Sequence, residues 1–172
     1  MRRVLVFFVA MTGLMLLSQS CSISLNGASI PAGLKTINVE FFENNAPLVV
    51  SNLSQDFTEA LKARIRSQSS LGIVRDPAAN ASMSGAIVNY TITPVSVEAT
   101  NPNTPPIANA SRLSITVNVK YTNEIEKKYN FEQQFTKYQD FQGDIASQEQ
   151  TLIQNIVRQL VDDIFNKAFA NW

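Results

Sequence analysis

The chain has 172 residues, 14 basic and 14 acidic side chains, 45% hydrophobic residues, one cysteine and no histidine. Without histidine there is no imidazole acid–base chemistry, no Ser-His-Asp or Cys-His nucleophile and none of the common zinc sites. Balanced charge gives no global attraction to nucleic acid. Phosphate loops, GxGxxG turns and GxSxG elbows are also missing, so the composition points to a non-enzymatic protein without metal or cofactor.

In chain order, Arg2 and Arg3 come first, then Val4 to Leu17 are almost wholly apolar, then Ser18, Gln19 and Ser20 are small or polar. That is the layout of a secretion signal. An apolar run of about 14 residues falls short of the roughly 20 that a spanning helix needs, so residues 1–20 are expected to be removed. Cys21 follows, and the stretch LLSQSC resembles a bacterial lipobox, with Ser18 where leucine is usual. The resemblance implies that Cys21 becomes the first residue of the mature chain and carries acyl chains such as palmitate. A lone cysteine in an exported chain has no internal disulfide partner, which favours the same reading. Residues 21–34 read as a lipidated tether. The stretch after the cysteine holds no acid, and by resemblance to known sorting patterns this implies an outer-membrane lipoprotein facing the periplasm.

The remainder, 35–172, has the size of one domain. In KTINVEFF the alternation of Ile37, Val39 and Phe41 predicts a half-buried strand, and Asn44 to Pro47 a turn. Leu53, Phe57, Leu61 and Ile65 recur every fourth position, predicting an amphipathic helix capped by Ser51 or Asn52. Its stripe suits packing on a sheet, or else a partner helix. Leu71 to Arg75 reads as a short strand. From Ser82, the residues Ala86, Val88, Tyr90 and Ile92 alternate until Pro94, where the phase shifts to Val95 and Val97, the mark of a bulge or an edge.

After a proline-rich connection, RLSITVNVKYT has Leu113, Ile115, Val117, Val119 and Tyr121 on one face and Ser114, Thr116, Asn118, Lys120 and Thr122 on the other, a strand with one wet face. Tyr129, Phe131 and Phe135 predict a return strand in a long hairpin, with the pattern broken from Asp140 to Asp144. Ser147 and Gln150 form a capping box for a final helix with a wide apolar face from Leu152 to Phe169; Phe169 and Trp172 are expected core anchors. The order gives an α+β two-layer sandwich, with two helices on one face of a mainly antiparallel sheet of about four strands (β-α-β-β-β-α).

These stretches together, from ISLNGASIPAGLKTINVEFF through RLSITVNVKYTN and FEQQFTKYQDF to LVDDIFNKAFANW, resemble the LptE family of lipopolysaccharide-assembly outer-membrane lipoproteins in its divergent, non-enterobacterial branch. The resemblance implies a domain that plugs an LptD-type outer-membrane β-barrel, helps its assembly and supports lipopolysaccharide transport to the outer leaflet. It also implies lipopolysaccharide binding by cations near strand ends. The candidates by placement are Arg112, Lys127, Lys128 and Lys137, each equally readable as solvated surface. Ser114, Thr116, Asn118 and Lys120 are the barrel-facing candidates. The competing class is a periplasm-facing lipoprotein that carries a lipid or other amphiphile without a barrel, which calls for an apolar cavity. An enzyme built on Asp162 and Asp163 is disfavoured, because helix neighbours point about 100° apart.

Overall fold

The structure is a computed structural model that describes residues 30–31, 33–48, 50–95 and 110–170. Cys21, the segment 1–20, Val97, most of the proline-rich connection and Trp172 lie outside the described residues. Among the described residues, no helix is long and apolar enough to cross a membrane.

The elements are β1 (Thr36–Val39), β2 (Glu43–Asn44), α1 (Leu53–Gln68), β3 (Gly72–Ile73), β4 (Ala81–Val95), β5 (Ala110–Asn123), a 3-10 turn at Lys127–Tyr129, β6 (Phe131–Gln142) and α2 (Glu149–Phe169). They form one six-stranded sheet in the order β3-β1-β4-β5-β6, with β2 also on β4. Both helices cover one face, so the two-layer α+β sandwich is as the sequence predicts. The sheet itself is mixed: β4, β5 and β6 form an antiparallel meander, whereas β1 pairs parallel with β3 and β4, and β2 parallel with β4. Parallel neighbours cannot be joined by a tight turn, and α1 supplies the crossover between β1 and β3.

Two extra residues set which side chains reach the core. Val39 pairs with Met83 and Glu43 with Ala86, so the β1–β2 segment advances one residue more than β4. This irregularity turns Phe42 inward, fully buried, and leaves Phe41 58% exposed, reversing the expected phase. Phe42 stacks 5.0 Å from Phe57, and its amide donates to Thr58 Oγ1 at 3.1 Å. On β4 the register slips between Ile87 and Asn89. The bulge therefore sits at Val88, ahead of Pro94, and the core residues of β4 are Ala81, Met83, Ile87 and Tyr90 rather than the alternation Ala86, Val88, Tyr90 and Ile92. Pro94 pairs with Ser111 beyond the reach of β1 and β2, on a stretch where β4 has only β5 beside it among the described residues. Its missing N–H faces that open edge.

On β5 all of Leu113, Ile115, Val117, Val119 and Tyr121 are buried, and α2 buries the ten residues from Leu152 to Phe169 that its double stripe marks. At roughly 1.5–3 kcal/mol for each fully buried large apolar side chain, β5 and α2 supply a large share of the core's stabilisation. The helix starts differ from expectation in detail. Gln148 is the N-cap of α2, and Ser147 Oγ donates to the Asp144 carbonyl instead of closing a capping box. Asn52 does cap α1, but at φ 68° and without a side-chain bond. Asparagine tolerates that left-handed backbone better than most residues. Strand β6 runs on through Asp140 to Gln142, because Asp140 is held by a cross-strand partner, and Tyr129 belongs to the 3-10 turn, ahead of the strand.

Candidate functional surface

The side of the sheet away from the helices is polar across three strands. Registered rows place Ser84, Lys120 and Glu132 together, then Ala86, Asn118 and Gln134, then Asn89, Thr116 and Thr136, then Thr91, Ser114 and Tyr138, then Thr93, Arg112 and Asp140. Most of these side chains carry hydroxyls or amides without charge. Thr116 and Thr136 share a hydroxyl hydrogen bond at 2.9 Å, and Thr116 is buried, so the centre of this face is tightly knit while Lys120 at one end is exposed. The structure thus brings Ser114, Thr116, Asn118, Lys120 and Thr122 onto one face.

The charged row at the far end is an ordered unit. Arg112 donates from Nε and Nη2 to the two oxygens of Asp140, and its guanidinium lies 3.8 Å from the Tyr138 ring centre. The hydrogen bond from Arg112 lowers the Asp140 carboxyl below its usual value and raises that of Arg112. Planar bidentate pairing with stacking is a geometry open to arginine and closed to lysine.

The four cations named from the sequence do not converge. Lys137 lies on the helix side of β6, where its Nζ meets Asp163 of α2 at 2.8 Å. Lys128 pairs with Glu126 at 2.9 Å in the turn after β5, and its ammonium is 4.7 Å from the Tyr129 ring. Lys127 is exposed beside it. Arg112 and this turn sit at opposite ends of β5, and eleven residue steps at about 3.3 Å put them more than 30 Å apart. No single anion can be held by both. A one-sequence reading places residues near strand ends without saying which end, so the separation was not visible from spacing alone.

Among the described residues, the helix layer carries two grooves of note. One of about 620 Å³ runs between α1 and α2, with Ala60, Ala63, Ile153 and Val157 along it and Asp56, Arg64, Arg158 and Asp162 on its rim. Arg64 Nε is 3.2 Å from Asp162, and the same guanidinium lies 5.4 Å from the Phe165 ring. A smaller groove of about 310 Å³ beside β3 is bordered by Lys62, Arg66 and Arg75. Sequence reading missed both, because each needs the helix–helix or helix–edge contact to exist. Among the described residues, no group of acids or cysteine is arranged to hold a metal ion.

Among solved structures, the chain is similar to protein XCC0632 of Xanthomonas campestris at 8% identity, covering 80% of this chain and 87% of that one with a TM-score of 0.54. The hypothetical protein CT253 of Chlamydia trachomatis matches at 12% identity, 78% and 98% coverage and a TM-score of 0.50. Both support the fold alone. A minor lipoprotein of Acinetobacter baumannii matches at 15% identity, 78% and 91% coverage and a TM-score of 0.49. No curated protein matches. Residues 34–168, nearly all of the two-layer domain, match the family described as LptE, Lipopolysaccharide-assembly, and the chain belongs to that family.

Proposed function

We propose that this protein is a lipoprotein subunit of the outer membrane, acylated at Cys21 once residues 1–20 are removed, facing the periplasm. Its domain, from residue 35 onward, plugs an LptD-type β-barrel, helps that barrel assemble and supports lipopolysaccharide transport to the outer leaflet. The role is structural and requires no cofactor or catalytic group.

The observation that carries this reading is the helix-free sheet face. Barrel interiors are polar, and a plug has to meet them with hydrogen-bonding groups that cost little to desolvate. Hydroxyls and amides such as Ser114, Thr116, Asn118 and Thr122 meet that need better than a field of charges. A carrier of free amphiphiles calls instead for an enclosed apolar cavity. The larger groove here is open and has a charged rim. Direct lipopolysaccharide contact, within this reading, falls to Arg112, whose row ends the polar face.

The test is detergent extraction of native outer membranes followed by depletion of the protein. The protein is expected to co-purify with a large β-barrel, and depletion is expected to lower both that barrel and surface lipopolysaccharide. A protein that extracts as a free monomer, with both quantities normal after depletion, overturns the proposal.

A further inference from the structure

The segment that leads into β1 lies at one end of the sheet. β1 starts there, Ala81 of β4 pairs with both Ile37 and Asn123, and Asn80 Oδ1 accepts from the amides of Lys35 and Thr36. Just before β1 the chain passes so close to the β5–β6 turn that a Cβ on Gly33 would lie 3.1 Å from Ile125 Cγ2. Ile30 is the first residue described, and nine residue steps separate it from Cys21. Fully extended, those steps reach about 30 Å. The sheet is longer than that, because the thirteen steps of β5 alone span roughly 40 Å. An acylated Cys21 therefore holds this end toward the bilayer, and the tether is too short for the domain to stand inverted on its Arg112 end.

The turn at this end is built as a rigid display. Asn123, buried, accepts at Oδ1 from the amides of Ile125 and Glu126 at 2.9 Å, and its own amide donates to Asn130 Oδ1 at 2.7 Å. Held out on that frame, Ile125 is 47% exposed. Lys127 and Lys128 follow it on the same turn, the Lys35 amide is held beside the turn through Asn80, which also takes the Glu124 amide, and Glu124 and Glu126 are the acids. Of these three lysines Lys128 is paired with Glu126, and among the described residues Lys35 and Lys127 have no carboxylate in ion-pair range.

We infer that the Glu124–Asn130 turn is a membrane-contact surface: Ile125 enters the headgroup layer of an anionic bilayer while Lys35 and Lys127 bind its phosphates. The inference rests on the proposed acylation of Cys21 and concerns the anchored protein before a barrel encloses it. It assigns Lys127 to the bilayer, and leaves Lys128 paired with Glu126, in place of a lipopolysaccharide site shared with Arg112. An exposed branched aliphatic flanked by lysines on a preordered loop, at the end already tethered by lipid, suits an interface in which apolar insertion and charge attraction act together.

The full acylated protein, reconstituted in vesicles of phosphatidylethanolamine and phosphatidylglycerol, provides the test. A polarity-sensitive thiol dye on Ile125→Cys is compared with the same dye on Thr93→Cys at the opposite end, using headgroup-bound quencher lipids. Acylation blocks Cys21, so each variant takes one label. The dye at 125 is expected to be quenched and the dye at 93 spared. Lys35→Gln and Lys127→Gln are each expected to reduce the docked population roughly fivefold. Equal quenching at the two sites, with acylated Cys21 confirmed by mass spectrometry, overturns this inference alone. An unmodified Cys21 overturns it together with the anchoring reading.

Discussion

Arg112 grips Asp140 through two parallel hydrogen bonds across the β5–β6 ladder, at 2.7 and 2.9 Å, and stacks on Tyr138 beside it. The guanidinium is thus oriented but neutralised. A phosphate that approaches it has to displace the carboxylate. Asp140→Asn is therefore expected to strengthen binding of purified protein to lipopolysaccharide several-fold, and Arg112→Gln to weaken it, in a displacement assay with labelled lipopolysaccharide. Arg112→Lys should recover only part of the loss, because lysine presents a point charge in place of a planar fork. Unchanged binding in Asp140→Asn removes Arg112 from the contact. Because the Asp140 carboxyl titrates below its usual value, the pair is present at neutral pH and is lost only as pH falls through that lowered value.

Gly85 leaves room that Phe42 needs. A Cβ there would collide with the backbone carbonyl of Asn118 and lie 2.7 Å from Phe42 Cε1. The first neighbour is a backbone atom of β5, held between β4 and β6, and has nowhere to go. Gly85→Ala is expected to destabilise the domain by about 1–3 kcal/mol, read as a lower midpoint in urea unfolding. Adding Phe42→Leu relieves the ring contact but leaves the carbonyl clash, so the double variant should not return to the parent midpoint.

How far the sequence spoke for itself depends on whether a residue's place is set locally. The alternation from Leu113 to Tyr121 and the double stripe from Leu152 to Phe169 are local periodicities, and the structure buries them as predicted. Phe41 and Phe42 are different, since the residue that exchanges their faces is an extra step relative to β4, more than 40 positions away. Val88 behaves the same way against β5. The candidate surface was legible as a face from Ser114 to Thr122. Its partners Thr136 and Asp140, and the turning of Lys137 toward Asp163, depend on register and could not be read from spacing.

Tyr121 offers a pH handle on the core. Burial pushes its phenol up to about 12, partly offset by the Asn123 amide that donates to it at 3.4 Å. The folded value is above the unfolded value of about 10, so the folded state binds the proton more tightly. Stability from this group is fully present below pH 10 and is lost as pH rises through 12. Two units correspond to roughly 2–3 kcal/mol. Tyr90 shifts in the same direction, mainly by burial and then through its 2.7 Å hydrogen bond to Glu149. Urea midpoints are expected to be level up to about pH 10 and to fall above it. Tyr121→Phe should flatten that fall while changing stability little at pH 7; an equally steep fall in the variant assigns the alkaline sensitivity elsewhere.

The polar sheet face and the groove between the helices are two surfaces, among the described residues, that offer themselves to a barrel wall, and they make opposite predictions. Asn118 is half-buried in the middle of the outer face, between Ala86 and Gln134, where a long cation would hold the sheet away from any surface laid against it. Ala63 borders the groove beside Arg64 and is exposed. Neither side chain is part of the core, so Asn118→Arg and Ala63→Arg should both fold, with urea midpoints close to the parent protein. If the sheet face is the plug surface, Asn118→Arg lowers recovery of the β-barrel in co-purification and Ala63→Arg does not. The reverse result would move the barrel contact to the helix layer, where Asp56, Arg64, Arg158 and Asp162 would then have to be desolvated, at a cost that hydroxyls and amides on the sheet do not incur.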